Sequence, residues 1–381
     1  MNNNKIAVVL DGNYWFHKTF GVFAGFGNKN PGKVLAGEAE INMFMQKVIT
    51  DVCYTINQIP DIEKIVFCKD SRSWRKDYKI SRSVYKGNRE DKDIIDWGSF
   101  FKLLDEFGEY VESNGFIFSR IHGAEGDDLM WSWAKELRKD GYSVMILTGD
   151  KDINQMVDFD ETGWTCIWNG NSKNNKITTA EEFILIEPIV ELSIFDVTPT
   201  SDGGNSKFKK LLESAKIDKV NVKEFVFRKI LEGDDGDNVP CVFPFNNKSG
   251  NPSGIKEGRS KKIWDEYLKS AWKDQDLEIL WKDQDFLGWL AGLTLRIISQ
   301  TDNKENRDKF KQYYEENAIL MWLNGNTIPE KVIEDMEDHI GLSQARQKGK
   351  IITDRKILIE KSPWSTTNAA PKGFDPFSLF L

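Results

Sequence analysis

Short apolar runs that end on acid punctuate the first 150 residues. Ile6-Ala7-Val8-Val9-Leu10 runs into Asp11, and Ile65-Val66-Phe67-Cys68-Lys69 runs into Asp70. Residues 116–121 lead through the turn His122-Gly123-Ala124 into Glu125-Gly126-Asp127-Asp128. Residues 144–147 lead into Thr148-Gly149-Asp150-Lys151-Asp152. Runs of this length between turn residues predict strands covered on both faces, as in a parallel sheet. Between them, Ile41, Phe44, Met45, Val48, Val52, Ile56 and Ile59 recur at helical spacing before Pro60, which predicts a crossover helix over 38–59. Further helices are predicted over 97–113 and 126–139, with a short one at 153–157 and a strand at 164–168. Strand and helix in alternation predict an α/β fold.

A polar, glycine-rich stretch, Thr198-Pro199-Thr200-Ser201-Asp202-Gly203-Gly204-Asn205-Ser206, changes the pattern. Beyond it the apolar spacing predicts helices over 222–231, through Tyr267, and over 286–298 and 308–322. Three regions result: an α/β region over 1–197, a mostly helical region over 198–345, and a tail over 346–381. The tail is linker-like and then apolar, and Phe377, Leu379 and Phe380 are candidate anchors for the groove of a partner. Residues 71–97 interrupt the α/β rhythm with cations interleaved among Trp74, Tyr78 and Tyr85. A long insertion after a strand carrying acid predicts a functional arch that grips single-stranded nucleic acid.

In open parallel sheets, ligands bind at the carboxyl ends of the strands. The strand order therefore predicts some seven carboxylates gathered in one small volume. Without a counter-charge, burial and mutual repulsion would neutralise them. Oxygen ligands with no histidine or cysteine among them favour magnesium or manganese over zinc. Cys53, Cys68, Cys166 and Cys241 show no metal-site spacing and are expected to be buried thiols, which fits a cytoplasmic protein. No apolar run is long enough to cross a bilayer, and the first residues do not resemble a signal peptide. The net charge of −8 is set against local basic stretches. Residues 69–92 hold nine Lys or Arg against four acids, and 248–262 hold five against one. Arg72, Arg75, Lys76, Lys79, Tyr85, Lys86, Arg89, Lys256, Arg259, Lys261 and Lys262 are the candidate nucleic-acid contacts.

The ordered set Asp11-Gly12-Asn13, Asp70, Glu125-Gly126-Asp127-Asp128, Thr148-Gly149-Asp150-Lys151-Asp152 and Gly233-Asp234-Asp235-Gly236-Asp237-Asn238 resembles the 5′-nuclease (flap endonuclease) superfamily. Tyr85-Lys86-Gly87-Asn88-Arg89 is similar to its arch motif. The resemblance covers about residues 5–270, and the helical region after it is most similar to the T-even type of phage ribonuclease H. It implies a PIN-like parallel sheet with a helical arch, then a helix–three-turn–helix that grips duplex DNA and often a potassium ion. It implies 5′-to-3′ exonuclease and 5′-flap endonuclease activity on DNA and RNA·DNA, removing primers during replication.

Position by position, the resemblance assigns Asp11, Asp70, Glu125 and Asp127 to a first magnesium. Asp128, Asp150, Asp152 and Asp234 go to a second, with Asp237 in support, and Lys86 and Arg89 go to the scissile phosphate. Asp11 and Asp150 are thus expected to be central to catalysis. A monomer is implied, with the sliding clamp and single-stranded DNA-binding protein as partners. The chain departs from the family in lacking its Gly-Ile-Gly-Xaa-Lys-Thr-Ala hairpin after Pro240, where residues 241–254 form an insertion. Gly126 stands where many members carry alanine. Two other readings are a non-catalytic branched-DNA-binding protein and a PIN-type RNA endonuclease. The full set of acids argues against the first, and the chain length and arch against the second.

Overall fold

Six consecutive buried residues make β1, Ile6–Asp11, the inner strand about which an eight-stranded sheet is built. The computed structural model describes residues 5–23, 37–59, 62–88, 97–169, 175–181, 215–246, 249–250, 252–347, 359 and 362–364. β1 pairs in parallel with β2 (Ile62–Cys68) on one side, and β2 pairs in parallel with β3 (Ile117–Ser119). On its other side it pairs with β4 (Ser143–Leu147), which pairs with β6 (Gly163–Trp168). β5 (Asp158–Asp160) folds back on β6, and β7 (Lys176–Ala180) and β8 (Lys216–Val220) extend the sheet. Register places Asp11 opposite Cys68 and Leu10 opposite Leu147. The acids after β1, β2 and β4 therefore leave the sheet along one edge.

Alternate side chains on a strand face opposite ways, and both faces here are covered. Val8 and Leu10 pack with residues of α1 (Gly12–Phe23), α2 (Glu38–Ile56) and α3 (Trp97–Ser113), among them Phe16, Phe20, Phe44, Val48, Phe100 and Phe107. Ala7 and Val9 pack with Leu129, Trp133 and Leu137 of α4 (Gly126–Lys139). Burying each large apolar side chain is worth about 1.5–3 kcal/mol, so these two layers fix the sheet edge on which the acids stand.

The helical half comprises α5 (Val222–Glu232), α6 (Glu257–Tyr267), α7 (Leu277–Leu280), α8 (Gln284–Ile297), α9 (Lys304–Met321) and α10 (Glu330–Gln347). It has its own core, in which Phe227, Tyr267, Phe286, Leu290, Phe310 and Tyr314 are buried. Two findings move the expected boundary at 197. β8 lies beyond it yet completes the sheet, and α10 returns to put Met336 and Ile340 against α4. The expected tail is also partly docked, with the ring of Trp364 edge-on to Tyr110 of α3 at 5.4 Å. The glycine-rich stretch 198–206 and the apolar end with Phe377, Leu379 and Phe380 lie outside the described residues. Among the described residues, no helix is long and apolar enough to cross a membrane.

Residues 71–88 form a strap between the two halves. After a single 3₁₀ turn at Trp74–Lys76, Ile80 and Tyr85 bury themselves against Val239, Leu320 and Met321. Arg82 donates to the Cys241 carbonyl at 2.6 Å and to Asn317 Oδ1 at 2.8 Å, and Ser81 Oγ donates to Glu316 at 3.3 Å. The described part of the expected arch is thus seated on the helical half. Residues 85–88 form a turn in which Lys86 has φ 55°; Arg89 lies outside the described residues.

Candidate active site

The acids line one cleft at the carboxyl edge of the sheet. Asp11 closes β1 and is nearly buried; its carboxylate accepts the Tyr14 N–H at 2.9 Å and the Thr148 hydroxyl at 2.8 Å. Loss of hydration, and then the charge of Asp70, push its carboxyl up to about 7. Asp70 is held from two sides: its N–H donates to Asn13 Oδ1 at 2.9 Å, and its Oδ1 accepts the Gly126 N–H at 2.6 Å. Loss of hydration raises it as well. Asp127, in the first turn of α4, is raised well above the carboxylate range by desolvation, then by Asp150, Asp11 and Asp70. These acids feel one another, which is the electrostatic signature of a site built for positive charge.

Glycines permit the close approaches. A Cβ on Gly126 would stand 2.9 Å from Asp70 Oδ1, a contact that a small rotation of the carboxylate relieves, so alanine at this position is a mild change. A Cβ on Gly149 would stand 2.2 Å from the Tyr14 ring, whose hydroxyl donates to the Asn169 carbonyl at 3.2 Å. The aromatic residues that follow Asp11 divide accordingly. Trp15 and Phe16 are core residues, and Tyr14 braces the turn before Asp150. His17 lies against Phe100 at 4.8 Å between ring centres, outside the acid cleft.

Two cations already neutralise part of the cleft. Lys86 Nζ donates to Glu125 Oε1 at 2.5 Å and stands 4.0 Å from Asp237. Burial works against its charge, but Glu125 and Asp237 outweigh this and raise its pKa. Burial likewise raises Glu125, yet Lys86 and Arg75 hold it below its ordinary range. Lys229, on α5, pairs with Asp152 and, at 3.1 Å, with Asp234. The sequence reading did not single out Lys229; its only signal is its place one turn before the Gly233-Asp234 loop. Asp234 Oδ1 accepts the Gly236 and Asp237 N–H groups at 2.7 and 3.2 Å, and Asp150 Oδ1 accepts the Asp152 N–H at 2.8 Å.

Three expected site residues prove to be scaffold. Asp128 is fully buried and accepts two Arg75 nitrogens at 2.7 and 2.9 Å, the Trp74 indole at 3.2 Å and the Glu125 N–H at 3.0 Å. Its lone pairs are committed to the N-terminus of α4 and to Arg75, so it stands behind the cleft as a counter-ion. Arg75, expected to touch nucleic acid, is only 2% exposed and also donates to Glu125 at 3.1 Å and to the Leu320 carbonyl at 2.9 Å. Tyr85 is buried too, with its hydroxyl between Glu125 at 3.1 Å and Asp237 at 3.0 Å. Desolvation, then Glu125, raise its pKa. By contrast Arg72, Lys76, Lys79, Lys256, Lys261 and Lys262 are exposed, although Arg72 pairs with Asp77 and Lys256 with Asp235, each at 2.7 Å. Arg259 is half-buried and donates to the Gly254 carbonyl at 2.9 Å.

The gathering of acids is looser than the sequence implied. Among the described residues, no three His, Cys, Asp or Glu side chains converge closely enough to grip one ion as they stand. The donor set is nevertheless all carboxylate oxygen, which suits a hard divalent cation.

The insertion at 241–254 takes a definite form. Phe245–Asn246 pairs with Pro252–Ser253 in a small hairpin, and Ile255 is buried as the chain enters α6. This loop stands after Pro240, where the chain lacks the family's glycine-rich hairpin.

A parallel sheet with acids along its carboxyl edge, strapped to a helical half, is the frame in which these side chains stand. Residues 6–185 match the model of the 5′-3′ exonuclease N-terminal, resolvase-like domain, and this part of the chain resembles that family. It is 27% identical over 161 residues to a 5′-3′ exonuclease of Buchnera aphidicola subsp. Schizaphis graminum, covering 40% of this chain and 49% of that one. It is 22% identical over 125 residues to the ribonuclease H of Enterobacteria phage T4, covering 30% and 40%. The chain therefore aligns with half or less of the length of these relatives. Among solved structures, the fold is similar to the T5 D15 protein co-crystallised with metal ions, with a TM-score of 0.51 and 14% identity over 89% of this chain and all of that one. The T5 flap endonuclease in a pseudo-enzyme–product complex with DNA and metal ions gives the same figures.

Proposed function

We propose that the protein is a metal-dependent 5′-to-3′ exonuclease and 5′-flap endonuclease that hydrolyses phosphodiesters in DNA and RNA·DNA. The observation that carries this is the placing of Asp11, Asp70 and Asp127 along one sheet edge, with Lys86 and Lys229 at the rim; desolvation raises all three acids. Acids buried along one edge are costly to the fold and make sense where cations bind.

In this reading Asp11, Asp70, Glu125 and Asp127 hold one magnesium ion. Asp150, Asp152 and Asp234 hold a second, with Asp237 in support. Manganese, with the same taste for oxygen, substitutes. The bound ions supply Lewis acidity at the scissile phosphate and a water of lowered pKa. The chain does the rest. Thr148 and the Tyr14 N–H fix the Asp11 carboxylate, and Gly126 fixes Asp70. Arg75 and Tyr85 orient Glu125. Lys86 places a full positive charge where the phosphate charge grows in the transition state. Exposed Lys261 and Lys262 on α6, with Lys76 and Lys79 on the strap, grip phosphates away from the cut.

The test is Asp150→Asn. The variant is expected to lose cleavage of a 5′-flap duplex by at least about 100-fold, the scale at which removing one catalytic electrostatic group is felt, while flap affinity stays within a few fold. Wild-type turnover by this variant in magnesium would sink the proposal.

A further inference from the structure

Two motifs meet at the cleft, Tyr85-Lys86-Gly87-Asn88 and Asp234-Asp235-Gly236-Asp237-Asn238, and each contains an asparagine to which the nuclease chemistry gives no task. In the fold these asparagines are reciprocal. Asn88 Nδ2 donates to the Asp235 carbonyl at 2.9 Å, and Asn238 Nδ2 donates to the Val84 carbonyl at 2.9 Å. Between them the Lys86 N–H donates to the Asp237 carbonyl at 2.7 Å, and Ser83 Oγ donates to the Asn238 carbonyl at 2.6 Å.

The backbone at the centre of this clasp is unusual. Lys86 and Asn238 adopt φ 55° and 58°, and among the described residues Ser299 is the only other non-glycine with positive φ. Asparagine tolerates that conformation and can still donate from its side chain. Lysine has no such preference, so its conformation must be imposed from outside. What is imposed has a direction. Lys86 leaves the turn with its Nζ 4.9 Å from the centre of the Tyr85 ring and against Glu125 Oε1.

We propose that Asn88 and Asn238 are positioning residues whose crossed hydrogen bonds hold Lys86 in its left-handed conformation and so aim its ammonium at the catalytic rim. Each bond is exposed and weak alone. Acting together across a short turn, they confine a side chain that would otherwise sample many rotamers. The task given to Lys86 rests on the nuclease reading; the clasp itself rests on the hydrogen bonds.

The experiment uses Asn238→Asp and Asn88→Asp in the full chain, since aspartate keeps the size and the backbone tolerance of asparagine but cannot donate. Hydrogen exchange of the Lys86 amide in metal-free protein reads the clasp without reference to catalysis. Exchange about 10-fold faster is expected, because opening of the turn frees that N–H. Single-turnover cleavage of a labelled 5′-flap should fall about 10-fold, with the flap Kd and the melting temperature nearly unchanged. The cycle with Lys86→Ala decides the role: adding Asn238→Asp to Lys86→Ala should cost nothing further.

Unchanged exchange would overturn the clasp. Faster exchange with fully additive rate losses would overturn the positioning role, leaving only a structural contact. Wild-type protein that cleaves no flap would overturn the nuclease reading and the positioning role with it, while exchange would still judge the clasp.

Discussion

Arg75 is the residue at which burial changes the meaning of the sequence. In the chain it is one of nine cations in a basic stretch and looks like its neighbours Arg72 and Lys76. In the fold it is enclosed, and it ties Asp128 and Glu125 to the end of α9 through the Leu320 carbonyl. Nothing local could have told it apart, because its partners lie 50 to 245 residues away. Removing one partner of a buried, hydrogen-bonded charge group typically costs about 3–5 kcal/mol. Arg75→Ala should therefore lower the stability measured by urea unfolding by that amount, whereas Asp150→Asn, which relieves repulsion, should leave it level or higher. A loss below about 1 kcal/mol for Arg75→Ala would mean the network is not what holds strap to sheet. The place of the acids at the strand ends was legible because strand ends are marked by local pattern. Asp128 was misread because capping and ligation use the same residue at the same place, the first turn of a helix.

At the scale of elements, α3 and α4 were readable to the residue, and β1, β2 and β4 nearly so, since each carries its apolar period within its own length. β7 and β8 were not. Lys176–Ala180 and Lys216–Val220 are short and rich in Lys and Thr, and they become strands by pairing β7 with β6 and β8 with β7 across a long connection. The strap is another case: its cations suggested a free arch, but Ile80, Arg82 and Tyr85 spend themselves on the helical half.

The exposed cations of α6 remain available for phosphate. Lys261→Ala with Lys262→Ala should weaken flap-duplex binding and reduce the slope of log K against log salt by about 1–2. The single-turnover rate at saturating protein should hold. A rate loss with unchanged slope would move these lysines out of the grip.

The molecule as a whole has a net charge of −8 and separates its charges. The acids lie along the sheet edge, and exposed lysines lie on the strap and α6 beyond it, an arrangement that suits the proposed nucleic-acid role. The boundary between its halves was the least legible feature, because β8 and α10 cross it to complete the sheet and its cover. Such returns depend on distant packing and leave no local mark. The central claim is that the acid cleft cuts phosphodiesters with divalent metal, and it is tested most directly on a 5′-flap duplex labelled at either end, with magnesium and with EDTA. The account predicts products at the flap junction and stepwise from the 5′ end with magnesium, and none with EDTA. Flap bound but uncut at every magnesium concentration would contradict it.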